Sequence, residues 1–275
     1  MLKQRIATAL VLLAAIITAM FLLPNFYWAL LLLLMLGVGA FEWTRLADFS
    51  RWISFVFFCL ILFSSALLLY SGVPDSHLLI SSFEFWVYAV ALVFWIGGCP
   101  LWLKYGWQIK NPVVMTIVGW LLLIPTWLAL IRLQTNVTVL IAALCVVWVA
   151  DSAAYLVGRK VGKRKLAPSI SPGKTWEGVF GALCAVTVYV LLLYFGFFHL
   201  DVSAKLLLWL AIAYGTLILS IEGDLFESWV KRTAGAKDSG KLLPGHGGIL
   251  DRIDSLTSTA PFVAMLHLLG FLTLS

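Results

Sequence analysis

Long apolar runs separated by short polar breaks constrain this chain more than any other feature. A helix that crosses the hydrocarbon core of a bilayer needs about 20 largely apolar residues, within a range of about 17–25. Runs of that kind fall at 6–23, 26–43, 52–71, 83–103, 112–132, 136–158, 176–198, 203–229 and 249–273. Breakers separate several of them, including Pro24-Asn25, Pro74-Asp75 and Asn111-Pro112, and Gly97-Gly98-Cys99-Pro100 interrupts the fourth. The pattern predicts an all-α, polytopic integral membrane protein with about nine spans, forming a single membrane domain over 1–275. Only 12% of residues are charged, where an ordinary soluble domain has about 25%. Many of the 13 tryptophans fall near span ends, as expected of the aromatic belts at membrane–water interfaces. The basic, apolar N-terminus resembles a signal peptide, but its apolar core exceeds the usual length and a second span follows at once. An uncleaved first helix is the expectation.

Charge placement gives the topology. With the N-terminus in the cytoplasm and nine spans, 17 of the 19 Lys and Arg residues fall on the cytoplasmic side; Arg132 and Lys205 are the exceptions. This is the positive-inside bias, and it predicts an N-in, C-out chain with its large polar loops, 159–175 and 230–248, in the cytoplasm. It also accounts for the net charge of +6 without a nucleic-acid partner. Cys59, Cys99, Cys145 and Cys184 are scattered without metal-ligand spacing and are expected to be free thiols.

The two halves differ. Up to about residue 135 no ionisable group lies deep in a span, and Glu42, Arg45 and Glu84 fall near span ends. From Asn136 onward, polar and charged residues enter the helices. The first half (1–135) is expected to be scaffold and the second (136–275) catalytic. The densest stretch, Ile221–Ser255, holds six of the 13 acids and five Lys or Arg residues around a glycine-rich turn. Charge placed beside a bilayer is costly and marks function.

Within that stretch Asp224, Glu227, Ser228 and Lys231 share one helix face at i, i+3, i+4 and i+7. Asp251, Asp254, Ser255 and Ser258 share another at the start of the last span. Solvated or ion-paired acids at a helix end, and ordinary first-turn capping, are the plain alternatives. Asp224, Asp251 and Asp254 converging from two helices would make an all-oxygen site for a hard cation, Mg²⁺ in preference to Zn²⁺. Before the last span, Pro244-Gly245-His246-Gly247-Gly248 puts glycines at a helix N-terminus, where backbone N–H groups favour phosphate. His246 suits a phosphate donor better than a metal ligand.

Upstream, the loop after the sixth span carries six basic residues from Arg159 to Lys174, which enforce topology or meet anionic lipid heads. In Ser171-Pro-Gly-Lys174-Thr175 an ammonium, a hydroxyl and backbone donors stand together. A Walker A loop would need Gly where Pro168 stands and a strand before it; neither is expected. Asp151 either orients the site or is an ordinary intrahelical polar residue. Gly158 and Gly162 are a weak pointer to a helix-packing surface.

Several of these runs resemble one family. Ser228-Trp-Val-Lys231-Arg232, Lys237-Asp238-Ser-Gly240 and Leu243-Pro-Gly-His-Gly-Gly-Ile-Leu-Asp251-Arg252-Ile-Asp254 are similar to the signature of the phosphatidate cytidylyltransferases, or CDP-diacylglycerol synthases. Gly223-Asp224-Leu-Phe-Glu-Ser228, Ser171-Pro-Gly-Lys-Thr-Trp-Glu-Gly178 and Asp151-Ser-Ala-Ala-Tyr155 also resemble that family. By motif the likeness covers about 145–258. It implies transfer of the cytidylyl group of CTP to phosphatidic acid, giving CDP-diacylglycerol and pyrophosphate. It further implies Mg²⁺ dependence, with one or two cations, a homodimer, and a site at the cytoplasmic face of a bacterial inner membrane. The resemblance places the metal on Asp224, Asp251 and Asp254, with Ser228 one turn after the first. Asp224, Ser228, Asp251 and Lys174 are the expected catalytic residues. Ser171, Lys174, Thr175, Lys231, Arg232, Lys237, Asp238, His246, Gly247, Gly248 and Arg252 are the expected substrate contacts.

Two alternatives stay open on the residues alone. One is a CTP-dependent kinase or transferase acting on a lipid alcohol. The other, from a different class, is an ion-coupled transporter, which would place its acids near the midplane in two related halves, whereas these lie towards one face and in one half.

Overall fold

The computed structural model describes residues 14–70, 78–197, 204–240, 242 and 247–272. Residues 14–22 are helical (α1). There follow α2 (Asn25–Leu46), α3 (Arg51–Tyr70), α4 (Leu78–Val93), a π-helical turn Phe94–Gly98 and α5 (Cys99–Tyr105). The chain continues with α6 (Pro112–Gln134), α7 (Val137–Val161), two short strands, α8 (Trp176–Leu191), α9 (Ala204–Thr233) and α10 (Leu250–Leu268). Seven helical stretches among the described residues are long and apolar enough to cross a membrane, from Asn25–Leu46 to Lys205–Thr233. They match the second to eighth expected spans within a few residues at each end. The first expected span lies partly outside the described residues. The ninth is α10, which is not among the seven; Asp251, Arg252 and Asp254 make its first turns polar.

The interrupted fourth span is one continuous rod. Pro100 has no N–H to donate, and the wider π turn just before it absorbs the missing bond. The same problem at Pro261 in α10 is solved from another helix. The carbonyl of Thr257, which Pro261 leaves without its usual donor, accepts the Trp95 indole N–H at 3.0 Å. In a membrane such freed carbonyls must find partners within the protein.

Helix α6 is the central post, packed against α2, α10 and α4. Indole N–H groups tie it to α2: Trp28 donates to Leu130 O, Trp127 to Ala29 O and Trp43 to Met115 O. Trp28, Trp43, Trp95, Trp102 and Trp127 are all buried, so a good part of the tryptophan complement is core and not interfacial belt. A second apolar cluster, with Val146, Ala150, Ala182, Val186, Ala213 and Leu217, joins α7, α8 and α9. All four cysteines are free.

Contrary to the sequence expectation, a strand does precede Lys174. Lys165–Ala167 (β1) and Ser171–Thr175 (β2) form an antiparallel hairpin with Lys165 opposite Thr175. Its base is closed by α8: Glu177 accepts the N–H groups of Lys163 and Arg164, and Trp176 N–H donates to Arg164 O. Thr175 caps α8 by accepting Gly178 N–H at 3.2 Å. A Cβ at Gly158 or Gly162 would come within 2.9 Å or 2.7 Å of its hydroxyl. That glycine pair therefore seats the hairpin on α7 and is no guide to an external packing surface.

Candidate active site

The site grows from the crossing of α9 and α10. Ser255 and Ser258 donate their hydroxyls to Ser220 O and Leu219 O, at 3.3 and 2.7 Å. Gly223 lets the backbones meet, for a Cβ there would lie 2.6 Å from Asp254 O. On the adjacent face of α9, Phe226 is fully buried and packs edge-on against Phe94, Trp95 and Trp102. With one face locked in aromatics and another in hydroxyl contacts, the rotation of α9 is fixed.

That rotation divides the predicted acidic face into two centres. Asp224 turns towards the hairpin, where Lys174 Nζ lies 2.8 Å from its Oδ2 and also donates to Ile221 O at 3.3 Å. Ser228 Oγ donates to Asp224 Oδ1 at 3.3 Å. Glu227 and Lys231 turn instead towards α10. Lys231 Nζ lies 2.9 Å from Glu227 Oε2 and 2.6 Å from Asp251 Oδ1, all three side chains being largely buried. Asp254 lies between the centres, within electrostatic reach of Asp224, Lys231 and Lys174, and one of its oxygens accepts Ser255 N–H.

Beside the first centre opens a cleft of about 700 Å³, bounded by α7, the hairpin and α9. Asp151, Tyr155, Arg159, Ser171, Lys174 and Asp224 line it. Ligand pockets commonly measure about 300–1,000 Å³, so this cleft has the volume of a small-molecule site. Asp151 faces this cleft and lies within electrostatic reach of both Asp224 and Lys174.

Other predicted residues are placed differently. Gly247 takes a left-handed φ of 81° hard against the Asp251 carboxylate, and Gly248 N–H donates to Asp251 Oδ2 at 2.8 Å. Gly248 thus holds a carboxylate of the chain, and Gly247 leaves room for it. Arg232, Lys237, Asp238 and Arg252 are exposed, the first donating to Ala236 O. His246 lies outside the described residues.

Sequence reasoning missed Glu42. It is 2% exposed, and its carboxylate accepts Ile249 N–H, Leu250 N–H and the Ser239 hydroxyl, at 3.0, 2.9 and 2.9 Å. A first-half residue thus sits against the second-half loop. The sequence offered little signal: an acid near the end of an apolar span with Arg45 one turn on reads as an ordinary helix-end pair.

Among the described residues no three His, Cys, Asp or Glu side chains gather closely enough to hold a metal ion; lysine ammonium groups stand between the acids. The donor set still fits a hard cation, because Mg²⁺ commonly takes one or two carboxylates and completes its shell with water and substrate phosphate. Asp224 and Asp254 would offer it carboxylate oxygens, whereas Asp251 has Oδ2 held by backbone donors and Oδ1 by Lys231.

Fold and site together define a polytopic helical membrane protein with paired carboxylate–lysine centres beside a polar cleft. Residues 3–269 match the model of the cytidylyltransferase family, and the chain belongs to that family. It is 38% identical to a phosphatidate cytidylyltransferase of Haemophilus influenzae, over 97% of this chain and 99% of the relative. It is 39% identical to one of Pseudomonas aeruginosa over 98% and 99%. One from Staphylococcus haemolyticus is 48% identical over 45% of this chain and 46% of its own length.

Proposed function

We propose that this chain transfers the cytidylyl group of CTP to phosphatidic acid, releasing pyrophosphate and leaving CDP-diacylglycerol in the membrane. The observation that carries this reading is the polar cleft ending on the Lys174–Asp224 pair, in a chain similar over its length to phosphatidate cytidylyltransferases.

In the reaction an oxygen of the lipid phosphate monoester bonds to the α-phosphorus of CTP, and the bond from that phosphorus to the bridging oxygen of pyrophosphate breaks. A phosphate monoester is already largely ionised near neutral pH, so no general base is needed. What the protein must supply is positioning and charge neutralisation. Lys174 is placed to leave Asp224 for a phosphate in the cleft, with Ser171 lining the same wall. Lys231, Arg232, Lys237 and Arg252 are the further cations for the triphosphate and the lipid phosphate, and Ser228 steadies Asp224. Mg²⁺ is the proposed cofactor, with Asp224, Asp251 and Asp254 as its holders; when bound it neutralises the α-phosphate and orients the reacting oxygens. The charge distribution supports a cytoplasm-facing site in a bacterial inner membrane, and a homodimer is part of the proposal.

The test is purified protein in detergent or vesicles with CTP, phosphatidic acid and Mg²⁺, scored for CDP-diacylglycerol and pyrophosphate. Asp224→Asn and Asp251→Asn are expected to assemble normally and lose turnover. Near-normal turnover in either variant removes that residue from the proposed metal site. A nucleotide product with a polyprenol, and none with phosphatidic acid, overturns the substrate assignment.

A further inference from the structure

Helix α10 begins without a cap of its own. Its N-cap residue is Ile249, whose side chain accepts nothing, yet the first N–H groups of a helix need acceptors. Glu42, more than 200 residues earlier, supplies them. Oε1 accepts Ile249 N–H and Oε2 accepts Leu250 N–H. An anion is well placed there, because the helix dipole is positive at this end.

The same carboxylate reaches the site through one hydroxyl. Ser239 is 3% exposed. Its Oγ lies 2.9 Å from Glu42 Oε2 and 3.0 Å from Asp251 Oδ2, while its backbone N–H donates to Asp251 Oδ2 at 2.9 Å. A serine hydroxyl has one proton, so Glu42 and Asp251 compete for it. Asp251 in turn ends on Lys231. The chain of contacts runs from Glu42 through Ser239 to Asp251 and Lys231, from the first half of the sequence into the centre of the second.

Two glycines exist to admit this carboxylate. A Cβ on Gly240 would lie 2.9 Å from Glu42 Cδ, and one on Gly248 would collide with both Glu42 oxygens and with Ser239 Oγ. Helix α2 is held in place to present it: Leu250 packs on Gly39, and Trp43, beside Glu42, is bonded to Met115 O.

We infer that Glu42 is a positioning residue for cytidylyl transfer: by capping α10 in trans and holding Ser239, it sets where Asp251 points. The inference rests on the function proposed above. Glu42→Gln is nearly isosteric, but its amide NH₂ must face a backbone N–H or the Ser239 hydroxyl, and it withdraws the charge from the helix end. Partners of this kind, one step removed from a metal ligand, change activity by about 10- to 100-fold.

The experiment compares wild type, Glu42→Gln and Ser239→Ala in detergent. The readouts are kcat, KM for CTP, the Mg²⁺ concentration dependence, and amide exchange at 239–251. Glu42→Gln is expected to lower kcat by about 10- to 100-fold, to raise the Mg²⁺ concentration needed for half-maximal rate, and to speed exchange at Ile249 and Leu250. Exchange in α6 should be unchanged. Ser239→Ala is expected to repeat the kinetic effect without exposing Leu250. A merely structural Glu42 would lower the folded fraction while leaving kcat per folded molecule and the Mg²⁺ dependence alone, and that result overturns the inference. So does unchanged exchange at Ile249 and Leu250. If wild type makes no CDP-diacylglycerol, the functional reading fails instead, and the exchange comparison still decides whether Glu42 holds the helix start.

Discussion

Lys174 and Lys231 both pair with acids of the site, but their burial predicts opposite consequences of removing them. Lys231 is 12% exposed and lies between Glu227 and Asp251, each 7% exposed. Lys231→Met keeps most of the volume and leaves two buried carboxylates without their cation. Breaking a buried pair in this way costs about 3–5 kcal/mol. At about 2–4 °C per kcal/mol for chains approaching this size, that is a fall of roughly 6–20 °C in the unfolding midpoint. Lys174 is 22% exposed and Asp224 34%, and the pair borders an open cleft, so solvent takes over much of its role. Lys174→Met should cost no more than about 1 kcal/mol. Its turnover, by contrast, should fall at least 100-fold if its ammonium is the one that meets phosphate. Thermal unfolding in detergent alongside the CDP-diacylglycerol assay separates the two. Equal destabilisation by both substitutions, or a Lys174→Met protein with normal turnover, would refute the division of labour drawn here.

Gly223→Ala places a methyl 2.6 Å from Asp254 O and 2.7 Å from Ser258 Oγ. The carbonyl belongs to a helix and cannot swing away, so α9 and α10 must separate. A loss of about 1–3 kcal/mol together with lost turnover is expected, and an unaltered enzyme would show the crossing to be looser than described. At the opposite end of the bundle, Arg132 Nε lies 3.5 Å from Glu84 Oε2, and Glu84 is fully buried. Arg132→Ala should destabilise by about 3 kcal/mol, and adding Glu84→Gln should recover most of that. Turnover of the folded protein at low temperature should not change, since this pair is remote from Asp224.

The spans were legible because hydropathy over 20 residues is a local property, and a bilayer imposes length and polarity on each helix separately. The acidic faces were legible for a similar reason: helical spacing put Asp224 with Ser228, and Asp251 with Asp254. What spacing could not give was the rotation of α9. That is set by Phe226 against aromatics of the π turn and by Gly223 against α10, contacts distant in sequence. Without it, Asp224 and Glu227 looked like one cluster, whereas they belong to two centres. The hairpin was missed because its strands are only three and five residues long, and bonds to Glu177 and Trp176, not apolar alternation, hold it together.

Glu42 ties the first half of the chain to the second through buried hydrogen bonds. An acid near the end of an apolar helix is ordinarily read as reaching water, and in this sequence nothing within a turn contradicts that. Its acceptor capacity is instead consumed by Ile249, Leu250 and Ser239. Those donors would otherwise be orphaned where α10 enters the protein, and burying a polar group unpaired is more costly than the net gain from pairing it. The absence of any capping side chain at Ile249 and the presence of a buried carboxylate on α2 therefore explain each other. One consequence is geometric: whatever moves the C-terminal end of α2 moves the start of α10, and with it Asp251. The site is thus built on the crossing of α9 and α10 but aimed by α2. The first half of the chain, apolar as it is, supplies the carboxylate that holds the start of α10 and, through Ser239, meets Asp251.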